Sequence, residues 1–187
     1  MSADHADLKV ITDRAGRSGG LVALSSIAAA WVLSVAIDLF LHAGLLARLY
    51  VQPSPFLLSA EDAFRRIPLG YLAFLILTIG LFWLLRRLDV RGIRAGFQWG
   101  AGAGAIIWGA LALGLYSIST ASVSLLTGWW IGQTVELAFA GAVLGSAADR
   151  VPLKRIWAIV GIGVVILFAA TVALQSLGLA PAMKVVR

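Results

Sequence analysis

The chain has 187 residues, of which 60% are hydrophobic and 13% charged, and its mean hydropathy is +0.94. A soluble domain is about 45–50% apolar and about 25% charged, so this composition excludes an ordinary soluble globule and predicts an integral membrane protein. The net charge of +6 does not indicate nucleic-acid binding, because the basic residues lie in short segments between apolar runs. The absence of cysteine excludes disulfides, thiolate metal sites and thioether attachment of haem.

Five apolar segments are long enough to cross a hydrocarbon core about 30 Å thick, which takes about 20 helical residues. We predict an all-α, five-helix membrane domain over residues 21–178, between a polar tail (1–20) and a short C-terminal tail (179–187). The runs are far longer than the roughly 9–11 residues of a barrel strand, so helices are expected. The predicted spans are residues 21–46, 67–85, 95–116, 122–148 and 156–177.

The first span carries a polar stripe. Ser34, Asp38 and His42 follow one another at four-residue intervals, so their side chains share a helix face. A charged side chain at the bilayer centre costs about 2.5–3.5 kcal/mol on insertion scales, so such residues usually face a protein interior and mark a site. The apolar stretch exceeds the roughly 7–15 residues of a signal peptide, so we expect the span to be retained.

The loop over residues 47–66 is the longest connection in the predicted fold. Pro53 and Pro55 break helical structure, and Ser59 to Asp62 has the Ser-x-x-Asp pattern of a capping box. We expect a short interfacial helix here, on the outer face of the membrane, leading into the second span. A plain connector requires only the water–lipid boundary, and a lid over Asp38 and His42 is the alternative.

Small residues recur at four-residue spacing in the third and fourth spans. Stripes of this kind allow two membrane helices to approach closely, and the two spans are joined by a short, uncharged segment over residues 117–124. We therefore predict a tight antiparallel hairpin. The three stripes are Gly96, Gly100 and Gly104; Gly128 and Gly132; and Gly141 and Gly145.

Glu136 is the only charged residue of the fourth span. It shares a helix face with Gly128 and Gly132 and is therefore expected to face a neighbouring helix. Gln133, one turn before it, is predicted to share its surroundings. Glu136 is expected near mid-depth, whereas Asp38 and the following histidine lie nearer the outer end of their helix, so a single shared site is not implied.

The distribution of basic residues predicts the orientation. Ten of the fifteen lie in the N-terminal tail, the second-to-third loop and the fourth-to-fifth loop. Because an excess of Lys and Arg marks the cytoplasmic face, we expect the N-terminus inside, the C-terminus outside, and the protein in a bacterial inner membrane. These ten are Lys9, Arg14, Arg17, Arg86, Arg87, Arg91, Arg94, Arg150, Lys154 and Arg155, and the other five are Arg48, Arg65, Arg66, Lys184 and Arg187.

Three interpretations of Asp38, His42 and Glu136 stay open. In the first they are structural: Asp38 and His42 are hydrogen-bonded as i, i+4 neighbours, and Glu136 stabilises helix packing through a hydrogen bond. In the second they bind a small ligand, ion or proton, since carboxylate–histidine chains are the usual material of proton relays in membranes. In the third, one histidine and two carboxylates bind a metal. A second intramembrane histidine is missing, which excludes bis-histidine haem within one chain, and no other cofactor is identified.

Enzyme signatures such as His-Glu-x-x-His or Gly-x-Ser-x-Gly are missing from the sequence, so no catalytic activity is predicted. Five tryptophan-rich spans resemble the architecture of the tryptophan-rich sensory/translocator family. That family's Trp-x-Pro-Pro signature does not occur here, and no residue role is carried over from it.

Two functions of different class are expected. The first is small-molecule or proton-coupled binding and transport through an interior site formed by Asp38, His42, Glu136, Gln133 and Ser34. The second is a non-catalytic accessory or scaffold subunit of a larger membrane complex. Expected partners are the lipid bilayer and a ligand or proton, or a membrane-protein partner or second copy of the chain. A carrier buries its glycine stripes within its own bundle, whereas a subunit leaves at least one stripe facing outward.

Overall fold

The computed structural model describes residues 3–50 and 54–181, with side chains described from residue 19 onward except for residue 60. Within those ranges every regular element is helical. The α-helices are α1 (Ala3–Phe40), α2 (Ala47–Tyr50), α3 (Ala60–Arg87), α4 (Ile93–Ile118), α5 (Val123–Ala148) and α6 (Leu153–Ser176). The side chains of Lys9, Arg14 and Arg17, and all of Pro53, Lys184 and Arg187, lie outside the described residues.

Five helical stretches are long and apolar enough to cross a membrane, which confirms the predicted number of spans and the all-α class. By length and composition the chain is a multi-pass membrane protein. The stretches are Gly19–Leu45, Glu61–Arg87, Ile93–Ile118, Val123–Ala148 and Leu153–Ser176.

The first span ends in an irregular turn that the sequence did not predict. A π-helical turn, Leu41–Leu45, joins α1 to α2, and the Leu46 N–H donates to the Leu41 carbonyl at 2.6 Å, five residues back. The Gln175 side chain of α6 donates to the Ala43 carbonyl at 2.9 Å. Single π turns occur mostly inside longer helices and are frequent at functional sites, and this one contains His42.

The expected separate interfacial helix before the second span is wrong, because α3 runs without interruption from Ala60 to Arg87. The predicted cap forms: the backbone N–H of Asp62 donates to Ser59 Oγ at 3.1 Å. Pro68 lies inside the helix, where it removes one backbone hydrogen bond. The cap therefore begins the membrane-spanning helix itself, seven residues before the predicted start of the span.

Helix α5 occupies the centre of the bundle and packs against α1, α3, α4 and α6. In the most apolar 18-residue stretch of α5, 56% is buried inside the protein, whereas the corresponding share in α4 is 6%. Helix α4 packs mainly against α5, with which it forms an antiparallel hairpin. Consequently α5 has one face on α4 and another on α1, and the candidate site lies on the second.

The glycine stripes are all engaged within the chain. A Cβ added at Gly96 or Gly100 would overlap the backbone carbonyl of Gly141 or Leu137 on α5, so only glycine allows the two backbones to come this close. The Gly92 N–H also donates to the Gly145 carbonyl at 2.9 Å. The remaining contacts of the stripes are those of Gly104 with Thr134, Gly128 with Leu46 and Leu49, and Gly132 with Leu41.

Candidate functional site

Asp38, His42 and Glu136 converge between the end of α1 and the middle of α5. Each residue offers one potential ligand atom, and these atoms lie within 4.8 Å of one another. The sequence left open whether the two helices form one site, and the packing of α5 against α1 brings all three residues together. Below, these three residues are called the cluster.

Within the cluster, Asp38 and His42 form a local pair across the beginning of the π turn. The Nδ1 atom of His42 lies 2.7 Å from Oδ1 of Asp38 and 3.0 Å from the Asp38 backbone carbonyl oxygen. A carbonyl oxygen only accepts, so Nδ1 carries the hydrogen and Nε2 is the nitrogen left for another partner. The side chain of Asp38 is 16% exposed and that of His42 is 24% exposed, so these two residues form the accessible side of the cluster.

Glu136 is the buried side of the cluster, with only 2% of its surface exposed. Its Oε1 accepts a hydrogen bond of 2.8 Å from Nε2 of Gln133, which is itself 4% exposed. Its Oε2 is buried and has no hydrogen-bond partner among the described residues. An unsatisfied buried polar group costs about 1–3 kcal/mol, and more when it is charged, so this oxygen calls for an explanation.

A small cavity of about 10 Å³ adjoins Glu136, close to the minimum space that one water molecule requires. Ser34 reaches it from α1, one turn before Asp38, and Gln133 lines it from α5. Thr78 of α3 also lines it and is completely buried, its hydroxyl donating to the Phe74 carbonyl at 2.7 Å. Of the five residues predicted for the site, the cavity therefore brings together Ser34, Gln133 and Glu136.

Aromatic side chains cover the cluster at the end of the bundle where α1 finishes. The ring of Tyr50 meets the His42 ring edge-on at a centroid distance of 5.1 Å, and Trp129 Nε1 donates to the Tyr50 hydroxyl oxygen. Phe56 packs on Trp129 at 6.0 Å. Burial raises the pKa of Tyr50 above its ordinary value, so its hydroxyl stays protonated at neutral pH.

The sequence did not identify Thr78, Tyr50 or Trp129 as neighbours of the site. Thr78 is the only hydroxyl-bearing aliphatic residue in an otherwise apolar span, which is the signal that could have found it. Tyr50 lies beyond the predicted span, and its contact with His42 depends on the π turn, for which the residues give no pattern.

Comparison of the chain with protein families, with curated proteins and with solved structures found no match.

Proposed function

We propose that this multi-pass protein binds a small solute or cation at the cluster and transports it across a membrane. The observation that carries the proposal is the buried Oε2 of Glu136, which lacks a hydrogen-bond partner among the described residues and belongs to a cluster with two further polar residues. Buried polar groups in proteins are hydrogen-bonded with few exceptions. A site that holds a ligand in part of its working cycle accounts for such an exception.

The position of the cluster supports transport rather than a purely structural role. Asp38 and His42 already satisfy each other, so Glu136 is not needed to pair either of them. Intramembrane ionisable residues that face a bundle interior mark ion and substrate pathways. Coupling of the movement to protons, the cytoplasmic N-terminus and the bacterial inner membrane stay predictions of the sequence.

The inward glycine stripes also favour this proposal over a scaffold subunit. The stripes on α4 and α5 contact each other, and the Gly128–Gly132 stripe contacts leucines at the end of the first span. A stripe that is used within the chain is not free to dock a partner helix.

Native mass spectrometry of protein released gently from its own membrane tests the proposal. We expect a bound species on the unaltered protein that is lost in Asp38→Asn and Glu136→Gln. The matched control is Glu61→Gln, the same amide replacement at an exposed carboxylate whose one ion pair within the described part of the chain is with Arg65. Proteoliposomes should then take up the identified species in a Glu136-dependent manner. Bare protein in all variants, or a species that all variants retain, would contradict the proposal.

A further inference from the structure

We infer that the cluster is a binding site for one divalent transition-metal ion. The inference rests on the proposed function, because it names the ligand of the same site. The donor set is an imidazole nitrogen of His42 and one carboxylate oxygen each from Asp38 and Glu136, with the donor atoms within 4.8 Å of one another. Imidazole and carboxylate together suit first-row divalent metals.

Charge balance selects a divalent ion. Once they have released their protons to bind a metal, two carboxylates and a neutral imidazole carry two negative charges, which a divalent cation cancels and a monovalent cation does not. Among the described residues, no Lys or Arg lies within 4.0 Å of either Asp38 or Glu136 to do this instead. A buried charge without a counter-charge costs several kcal/mol, and a cation that displaces the protons of the carboxyl groups removes that cost.

The surroundings of Glu136 resemble those of a metal-binding carboxylate, with one oxygen fixed by a hydrogen bond and the other free among the described residues. Gln133 donates to Oε1 at 2.8 Å and fixes the carboxylate, while Oε2 has no partner within the described part of the chain. Metal binding on the side of His42 that faces Asp38 would release the Nδ1 hydrogen, so that Nδ1 of His42 and Oδ1 of Asp38, 2.7 Å apart, become neighbouring ligands. Hydrogen bonds such as that from Gln133 orient a metal-binding carboxylate.

The number and type of donors favour Zn²⁺ or Co²⁺ over Mg²⁺ and Ca²⁺. Three protein donors match the four-coordinate sites of zinc that keep one position open for water or a substrate. Ca²⁺ takes about 6–8 oxygen ligands, and Mg²⁺ prefers six oxygens and keeps several waters. A nitrogen donor does not suit either of these two ions.

Titration with Co²⁺ tests the inference, because cobalt substitutes for zinc in such donor sets and its visible absorption reports nitrogen and oxygen ligation directly. Purified protein in nanodiscs should bind one Co²⁺ per chain, measured by absorption and by metal analysis. Glu136→Gln should abolish the absorption. Gln133→Leu should weaken binding by about 10–100-fold, as loss of a ligand-orienting partner does. Glu61→Gln should bind as the unaltered protein does.

Three results would overturn the inference: no Co²⁺ bound by the folded protein, binding unchanged in Glu136→Gln, or displacement of Co²⁺ by a moderate excess of Mg²⁺. Asp38→Asn and His42→Gln keep the test decisive if Glu136→Gln does not fold. Native mass spectrometry distinguishes failure of the metal assignment from failure of the proposed function. An organic species lost in Glu136→Gln, without Co²⁺ binding, overturns the metal assignment alone, whereas bare protein throughout overturns both.

Discussion

Helix α5 packs against two neighbours in opposite ways. Towards α4 it presents Gly141 and Gly145, and the two backbones touch without intervening side chains. Towards α1 it presents Glu136, which brings a buried oxygen with unused hydrogen-bonding capacity. The first interface maximises van der Waals contact, which drives helix association in lipid. The second interface leaves a buried oxygen without a hydrogen bond among the described residues, and departures of this kind from well-satisfied packing are expected mainly at functional sites.

The close α4–α5 interface should be the most sensitive to an added side chain. Gly100→Leu places a branched side chain against the Leu137 carbonyl and should cost more than about 3 kcal/mol of unfolding free energy, at the upper end for overpacking. The matched control is Gly102→Leu on the same helix, where an added Cβ meets nothing within 4 Å. Unfolding in mixed detergent, followed by tryptophan fluorescence, measures both. Equal stabilities would show that the interface is not held by backbone contact.

The polar α1–α5 interface should gain stability when its polar pair is removed. Replacing Gln133 by Leu and Glu136 by Met together removes the buried hydrogen bond and the unpartnered oxygen in one step. We expect stabilisation by about 1–3 kcal/mol, the usual cost of an unsatisfied buried polar group, with complete loss of Co²⁺ binding. A double variant that is less stable would assign Glu136 a structural role.

The π turn should contribute both to stability and to the site. Gln175→Leu removes the hydrogen bond from α6 to the Ala43 carbonyl and should cost about 1.5 kcal/mol. Because His42 lies within the turn, Co²⁺ affinity should also fall. The same unfolding assay and Co²⁺ titration measure the two effects. Lower stability with unchanged affinity would show that the turn does not position the histidine.

The smallest effect is expected at the exposed start of α3. Ser59→Ala removes the side-chain cap on the Asp62 N–H and should cost about 0.5–1 kcal/mol. It should leave Co²⁺ affinity unchanged, since the side-chain hydrogen bonds described for Ser59 and Asp62 join only these two residues. A loss of affinity in this variant would mean that the beginning of α3 acts on the site.

The parts of the fold that depend on chain length and local spacing could be predicted. Five apolar runs specify five helices because each must satisfy its own backbone within lipid, and Asp38 and His42 pair because they are one turn apart. The proximity of Glu136 to that pair could not be predicted, since packing sets the position of α1 relative to α5 along the helix axes. The π turn could not be predicted for a similar reason. No local sequence pattern marks it, and the contact that accompanies it comes from Gln175 of the distant helix α6.

The measurement that tests the central claim most directly is anomalous X-ray diffraction from crystals of the protein grown with Co²⁺. The account predicts one strong anomalous peak per chain, within coordination distance of Asp38, His42 and Glu136, that disappears in Glu136→Gln. A peak bound elsewhere, or a well-ordered structure with no peak at the cluster, would contradict it.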